Sequence, residues 1–178
     1  KAKMGETEQA KELYAQALFI DPDFSRARIN LGNVWFQEKK FPEAMEQYRA
    51  ALEIEPTSAE ARVNLGNTLH ALGKSDEAKR QYEEAIKQNP SFGPSHFALG
   101  TLLLQEKKNA EALGCFRKAC ETAPGNVGFL RKLAALLCTR EECTLEDLAE
   151  AASLAERGCR LSNFRDPVFF QILGTAYA

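Results

Sequence analysis

The sequence predicts an all-α fold, an α-α superhelix in which antiparallel helix pairs repeat every 34 residues as a solenoid. Two observations carry this. First, Pro22, Pro56, Pro90 and Pro124 stand 34 residues apart, and other positions keep the same period. Glycine recurs at Gly32, Gly66 and Gly100, and alanine at Ala10, Ala44, Ala78, Ala112 and at Ala17, Ala51, Ala85, Ala119. An aromatic recurs at Tyr14, Tyr48, Tyr82 and Phe116. A fixed period of this length marks units that bury their apolar faces only by stacking on one another. Second, between the prolines the apolar residues fall at spacings of three and four, the helical period.

In chain order, residues 1–24 read as the second helix of a truncated repeat, with Gly5, Ala10, Tyr14, Ala17 and Pro22 in step. Residues 25–58 form a full unit. Ile29, Leu31, Val34, Trp35 and Phe36 lie on its first helix, and Ala44, Met45, Tyr48, Ala51, Leu52 and Ile54 on its second. Residues 59–92 and 93–126 repeat it. Start signals are Ser58, Ser75 with Asp76 and Glu77, Asn109 and Asn126, whose side chains can accept from free helical N–H groups. Pro42 and Pro94 fit first-turn positions, and the periodic prolines end each second helix. Residues 127–166 are an irregular unit: Ala134 replaces the glycine, an insertion falls near 139–144, and a longer second helix runs over roughly 144–161. Residues 167–178 read as the first helix of a further truncated unit, so the chain reads as a fragment of a longer protein.

The small residues explain the expected packing. Gly32 and Ala44 lie where two antiparallel helices approach closely, Tyr48 and Trp35 fill the remaining space, and Ala51 admits the next unit. Gly66, Ala78, Tyr82 and Ala85 repeat the arrangement, as do Gly100, Ala112, Phe116 and Ala119.

These residues resemble the tetratricopeptide repeat family. Its signature of Leu-Gly, a large residue three later, then Ala, aromatic, Ala and Pro is met by Leu31, Gly32, Trp35, Ala44, Tyr48, Ala51 and Pro56. Leu65, Gly66, Leu69, Ala78, Tyr82, Ala85 and Pro90 meet it again, as do Leu99, Gly100, Leu103, Ala112, Phe116, Ala119 and Pro124. The closing stretch, from Leu154 through Phe164 and Pro167 to Leu173-Gly174, is similar to the last repeats of large bacterial members. Many of those carry the array behind a multi-pass membrane segment related to glycosyltransferases.

The resemblance implies a concave groove lined by the first helices. Around each Leu-Gly pair it places Asn30, Asn33, Asn64 and Asn67 as a patch of four amides, followed along the array by Thr101. An amide both donates and accepts, so such a patch can bracket the backbone of an extended peptide. The Asn-Leu-Gly-Asn pairs resemble the asparagine ladder of protein O-linked N-acetylglucosamine transferases, where the equivalent residues hold substrate peptides. Flanking rows run Ile29, Val63, Phe97, Arg131 and Phe36, His70, Leu104, Cys138. Their apolar members either offer pockets to a ligand or pack against the adjacent helix. The clamp of chaperone-binding members needs a lysine where this chain has Ile29 and Val63, which argues against a chaperone C-terminus as ligand.

Composition excludes several classes. Lys plus Arg number 23 against 25 Asp plus Glu, which leaves no electrostatic footprint for nucleic acid or an anionic membrane. No apolar run is long enough to span a bilayer and no signal peptide opens the chain. Cys115, Cys120, Cys138, Cys143 and Cys159 form no compact metal-ligand spacing and read as buried reduced thiols, with a Cys138–Cys143 redox pair as the alternative. His70 has no nucleophile set beside it by the pattern, and no Gly-rich loop precedes a helix. The expectation is a noncatalytic, cofactor-free scaffold, cytoplasmic or the soluble part of a membrane-anchored protein. Its partner is a protein or peptide, either an extended segment or a helix held in the groove. The alternative is an accessory, substrate-capturing domain of a larger membrane glycosyltransferase, and self-association through residues 167–178 is a further expectation.

Overall fold

The computed structural model describes residues 2–140 and 143–177, with side chains from residue 7 onward. Among the described residues all regular structure is α-helical: α1 Ala2–Ile20, α2 Ser25–Gln37, α3 Phe41–Ile54, α4 Ala59–Ala71, α5 Ser75–Gln88, α6 Gly93–Gln105, α7 Asn109–Thr122, α8 Val127–Thr139, α9 Leu145–Leu161 and α10 Pro167–Ala176. Of the expected insertion near 139–144, Glu141 and Glu142 lie outside the described residues. The chain divides into two compact units, Lys1–Ala98 and Leu99–Ala178. In the first, each helix from α1 to α5 packs on the next and α2 also meets α4. In the second, α7 packs on α8, α8 on α9, and α10 on both α9 and α8. Among the described residues no helix is long and apolar enough to cross a membrane.

Helix starts follow two chemistries. Ser58, Asn126, Thr144 and Asp166 cap α4, α8, α9 and α10 by accepting from a backbone N–H of the first turn. Ser75 and Asn109, expected as start signals, are instead the first helical residues, and Lys74 and Lys108 stand at the caps without a side-chain bond. The backbone closes these turns. The N–H groups of Lys40, Lys74 and Lys108 donate to the carbonyls of Trp35, Leu69 and Leu103, each at 2.9 Å. The preceding residue turns left-handed to allow it: φ is 61° at Lys39, 77° at Gly73 and 60° at Lys107. Between pairs, the periodic prolines also act as acceptors. Pro22 and Pro56 carbonyls each take a bond of 2.8 Å from Arg28 and Arg62, and Pro90 O lies 2.8 Å from His96 Nε2.

Volume is exchanged across each helix pair. A Cβ on Gly32 would stand 2.6 Å from Tyr48 Cε1, one on Gly66 2.5 Å from Tyr82 Cε1, and one on Gly100 3.1 Å from Phe116 Cε1. Those three aromatics are buried, as are Ala44, Ala78 and Ala112 beside them. The pair α8–α9 uses a different solution. Ala134 is buried and α9 has no aromatic; its buried residues include the small Ala151, Ala155 and Gly158. The volume comes from α10, whose fully buried Phe169 ring covers Gly158 so closely that any Cβ there would collide with it. Among the described residues of 167–178, Phe169 and Ile172 are buried, Leu173 is half-buried, and Phe170 and Tyr177 are exposed.

The start of α9 is held by charge. Thr144 and Asp147 form a reciprocal capping box, and Asp147 also accepts from Arg140 at 3.1 Å. The Thr144 backbone N–H, then its hydroxyl, then the Arg140 guanidinium hold the Asp147 carboxyl below its ordinary range.

Candidate functional site

In the first unit, α2, α3 and α4 enclose an open pocket of about 190 Å³, lined by Asn33, Phe36, Gln37, Tyr48, Asn64 and Asn67. The sequence folds this way because Asn33 follows the Gly32 contact directly. The Tyr48 ring that covers Gly32 carries its hydroxyl to the rim of the same helix. There Tyr48 Oη donates to Asn33 Oδ1 at 2.7 Å, and Asn64 Nδ2, from the next pair, donates to the same oxygen at 3.0 Å. One repeat on, Tyr82 Oη donates to Asn67 Oδ1 at 2.8 Å. Burial raises the hydroxyl pKa of both tyrosines, so each stays protonated as a donor.

The consequence is an oriented row. The acceptor ends of Asn33 and Asn67 are occupied by tyrosine, and the Nδ2 group of each makes no hydrogen bond among the described residues. Asn64 Oδ1 is the complementary unoccupied acceptor. The pocket wall therefore includes two amides one repeat apart whose donors are unoccupied and a third whose acceptor is unoccupied, with the half-buried Phe36 beside them.

Not every expected residue joins it. Ile29 and Val63 are buried core residues, 2% and 5% exposed, which agrees with packing against the adjacent helix, the second of the two alternatives for these rows. Asn30 is half-buried outside the pocket wall. His70, one turn beyond Asn67, and Phe97 are half-buried and also outside it. The Nδ1 of His70 is enclosed without a partner among the described residues. Thr101 and Arg131 belong to the second unit, where Arg131 is exposed and paired with Asp166 at 3.2 Å. Gln37 and Tyr48 were missed as wall residues. The signal for Tyr48 was available, since the aromatic facing Gly32 ends in a hydroxyl that needs an acceptor when buried.

All five cysteines are free thiols. Cys120 and Cys159 are buried and Cys115 and Cys138 half-buried, but Cys143 is exposed, against the expectation of burial for all five. Burial pushes the Cys120 thiol up to about 11. Among the described residues no three His, Cys, Asp or Glu side chains are grouped to hold a metal.

A family model described as TPR repeat matches residues 32–73, and two described as Tetratricopeptide repeat match residues 63–127 and 1–48. With the helix pairs and the Gly–aromatic contacts, these place the chain in the tetratricopeptide repeat family. No curated protein matches the sequence. Among solved structures, a thermophilic TPR protein in Thermus thermophilus is similar at 16% identity, with 99% of this chain and 94% of that chain covered and a TM-score of 0.76. MamA is similar at 18% identity, with 92% of both chains covered and a TM-score of 0.64. YrrB, titled a TPR protein with an unusual peptide-binding site, is similar at 20% identity, with 93% and 91% covered and a TM-score of 0.64. At these identities the likeness is one of fold.

Proposed function

We propose that this chain is a noncatalytic protein-interaction scaffold that captures an extended peptide over the pocket of Asn33, Asn64 and Asn67. The observation that carries this is the Tyr48–Asn33 and Tyr82–Asn67 hydrogen bonding, which occupies both amide oxygens and leaves both N–H₂ groups available to a ligand. A peptide main chain offers carbonyls to such donors, and Asn64 Oδ1 suits one of its N–H groups. Phe36 supplies apolar area beside them, so side-chain preference is set by one pocket while backbone recognition remains general. Fixed donors lose little entropy on binding, which favours this use over that of a loose polar face.

The test separates binding from folding. Asn33→Asp and Asn67→Asp keep an oxygen for the tyrosine hydroxyls but replace each N–H₂ donor with an anionic acceptor. Peptides selected from a random display library on the parent should bind the double variant at least tenfold more weakly, about 1.4 kcal/mol or more, with an unchanged melting temperature. Unaltered titration curves for every selected peptide would exclude this pocket as the site. The same pocket would serve a larger glycosyltransferase as a substrate-capturing part, and peptide capture is common to both readings.

A further inference from the structure

A second cavity, of about 210 Å³, lies wholly within the second unit. Arg117, Cys120 and Glu121 of α7 line it together with Glu150, Leu154 and Arg157 of α9, and Leu133 of α8 completes the wall. The steps of three and four residues put each set on one face of its helix. Cys120, Leu133 and Leu154 are buried, and the other four side chains carry charge.

Those charges are not matched one to one. The Arg117 guanidinium donates to both oxygens of Glu150, at 2.6 Å in the shortest bond, and Glu121 accepts from Lys118 at 2.9 Å. Arg157, half-buried, makes no ion pair among the described residues, and its Nε is enclosed without an acceptor. Cys120 does not supply the missing negative charge, because burial pushes its thiol up to about 11 and keeps it neutral. An enclosed N–H without an acceptor is destabilising, and the guanidinium that carries it presents a planar fork of donors suited to a carboxylate. A water can accept from such a donor but leaves the charge unbalanced.

The lining also selects among anions. One positive charge is unmatched, so one negative charge balances it, whereas a dianionic phosphate would bring a second charge beside Glu121 and Glu150. Cys120, Leu133 and Leu154 give the carbons behind the charged group an apolar wall.

We propose that this cavity binds a carboxylate carried on a short aliphatic stem, with the charge on Arg157 and the stem against Cys120, Leu133 and Leu154. A free short-chain carboxylic acid and a glutamate side chain of a partner protein share this chemistry. The site is separate from the asparagine pocket, whose wall carries no charged side chain.

The Arg157 Nε–H resonance of the full chain, assigned by its loss in Arg157→Met, reports binding directly. Titration with butyrate should shift it saturably with a half-point below about 10 mM, as befits so small a ligand. The second probe is a capped tripeptide with glutamate between two alanines, checked against its glutamine counterpart. A response to butyrate alone assigns the free acid, and a glutamate peptide that binds at least as tightly assigns a partner's side chain. Butyrate in excess should raise the melting temperature of the parent and leave that of Arg157→Met unchanged. Without ligand, Arg157→Met should melt no lower than the parent, since methionine keeps a packed stem and removes the unpaired donor. Arg157→Lys keeps the charge without the fork, gives an independent reading should the methionine variant misfold, and should bind either probe several-fold more weakly. A resonance unmoved by both probes overturns the proposal, as does an equal thermal response in Arg157→Met. Inorganic phosphate that binds more tightly than butyrate overturns the choice of a carboxylate.

Discussion

At the scale of the residue, glycine carries the packing and asparagine the chemistry. Gly66 sits against a Tyr82 ring that is itself 2% exposed, so a methyl group placed 2.5 Å from Cε1 cannot be relieved by swinging the ring into solvent. Gly100 faces Phe116 and Cys115 Cβ at 3.1 Å, where a few tenths of an ångström suffice. Gly66→Ala should therefore cost about 1–3 kcal/mol, and Gly100→Ala clearly less because the helix-propensity gain of alanine partly offsets the crowding. Chemical denaturation of the two variants checks the order, and equal losses would contradict the ring contact. Asparagine at positions 33 and 67 has a double task. Alanine there would strand the buried hydroxyls of Tyr48 and Tyr82, at about 1–3 kcal/mol each, so alanine scanning would mix folding with binding.

At the scale of the element, α9 is the departure from the repeat and has its own means of support. Small residues on its buried face hand the aromatic volume to Phe169 of α10, and its start depends on the Thr144–Asp147 box and Arg140. Because the folded-state pKa of Asp147 is depressed, its stabilisation is present above the ordinary aspartate pKa and is lost as pH falls through the folded value. Melting temperatures recorded from about pH 5 down to about pH 2 should fall more steeply for the parent than for Asp147→Asn, which has no charge to lose. Parallel curves would remove Asp147 from the acid response. The Arg117 guanidinium, bound to Glu150 at 2.6 Å, ties α7 to the same helix, so this ion pairing spans three consecutive elements of the second unit.

At the scale of the molecule, charge is nearly balanced, with a formal net of −2, and the proposed contacts to peptide are neutral amides. Peptide affinity should then change less than about threefold between low and high salt, since screening acts on charges and not on amide hydrogen bonds. Isothermal titration at two ionic strengths decides it, and a steep loss would indicate a charged surface other than the amide pocket as the binding site. The likeness to structures only 16–20% identical in sequence is one of fold. A handful of steric positions per 34 residues defines the fold, and the remaining positions are unconstrained by it.

The sequence by itself determined the helix pairs, because the period, the Gly–aromatic pairs and the prolines act within one repeat or between neighbours, where spacing is a direct proxy for contact. It also determined that the asparagines share first helices. Only the tertiary structure decided which way each amide points, since that depends on a hydroxyl arriving from Tyr48 or Tyr82, fifteen residues away across the helix pair. Tertiary structure likewise decided that Ile29 and Val63 are core and that Phe169 is buried on Gly158, because an apolar residue at a helix edge faces solvent or a neighbour according to rotations of a few tens of degrees that no repeat pattern records.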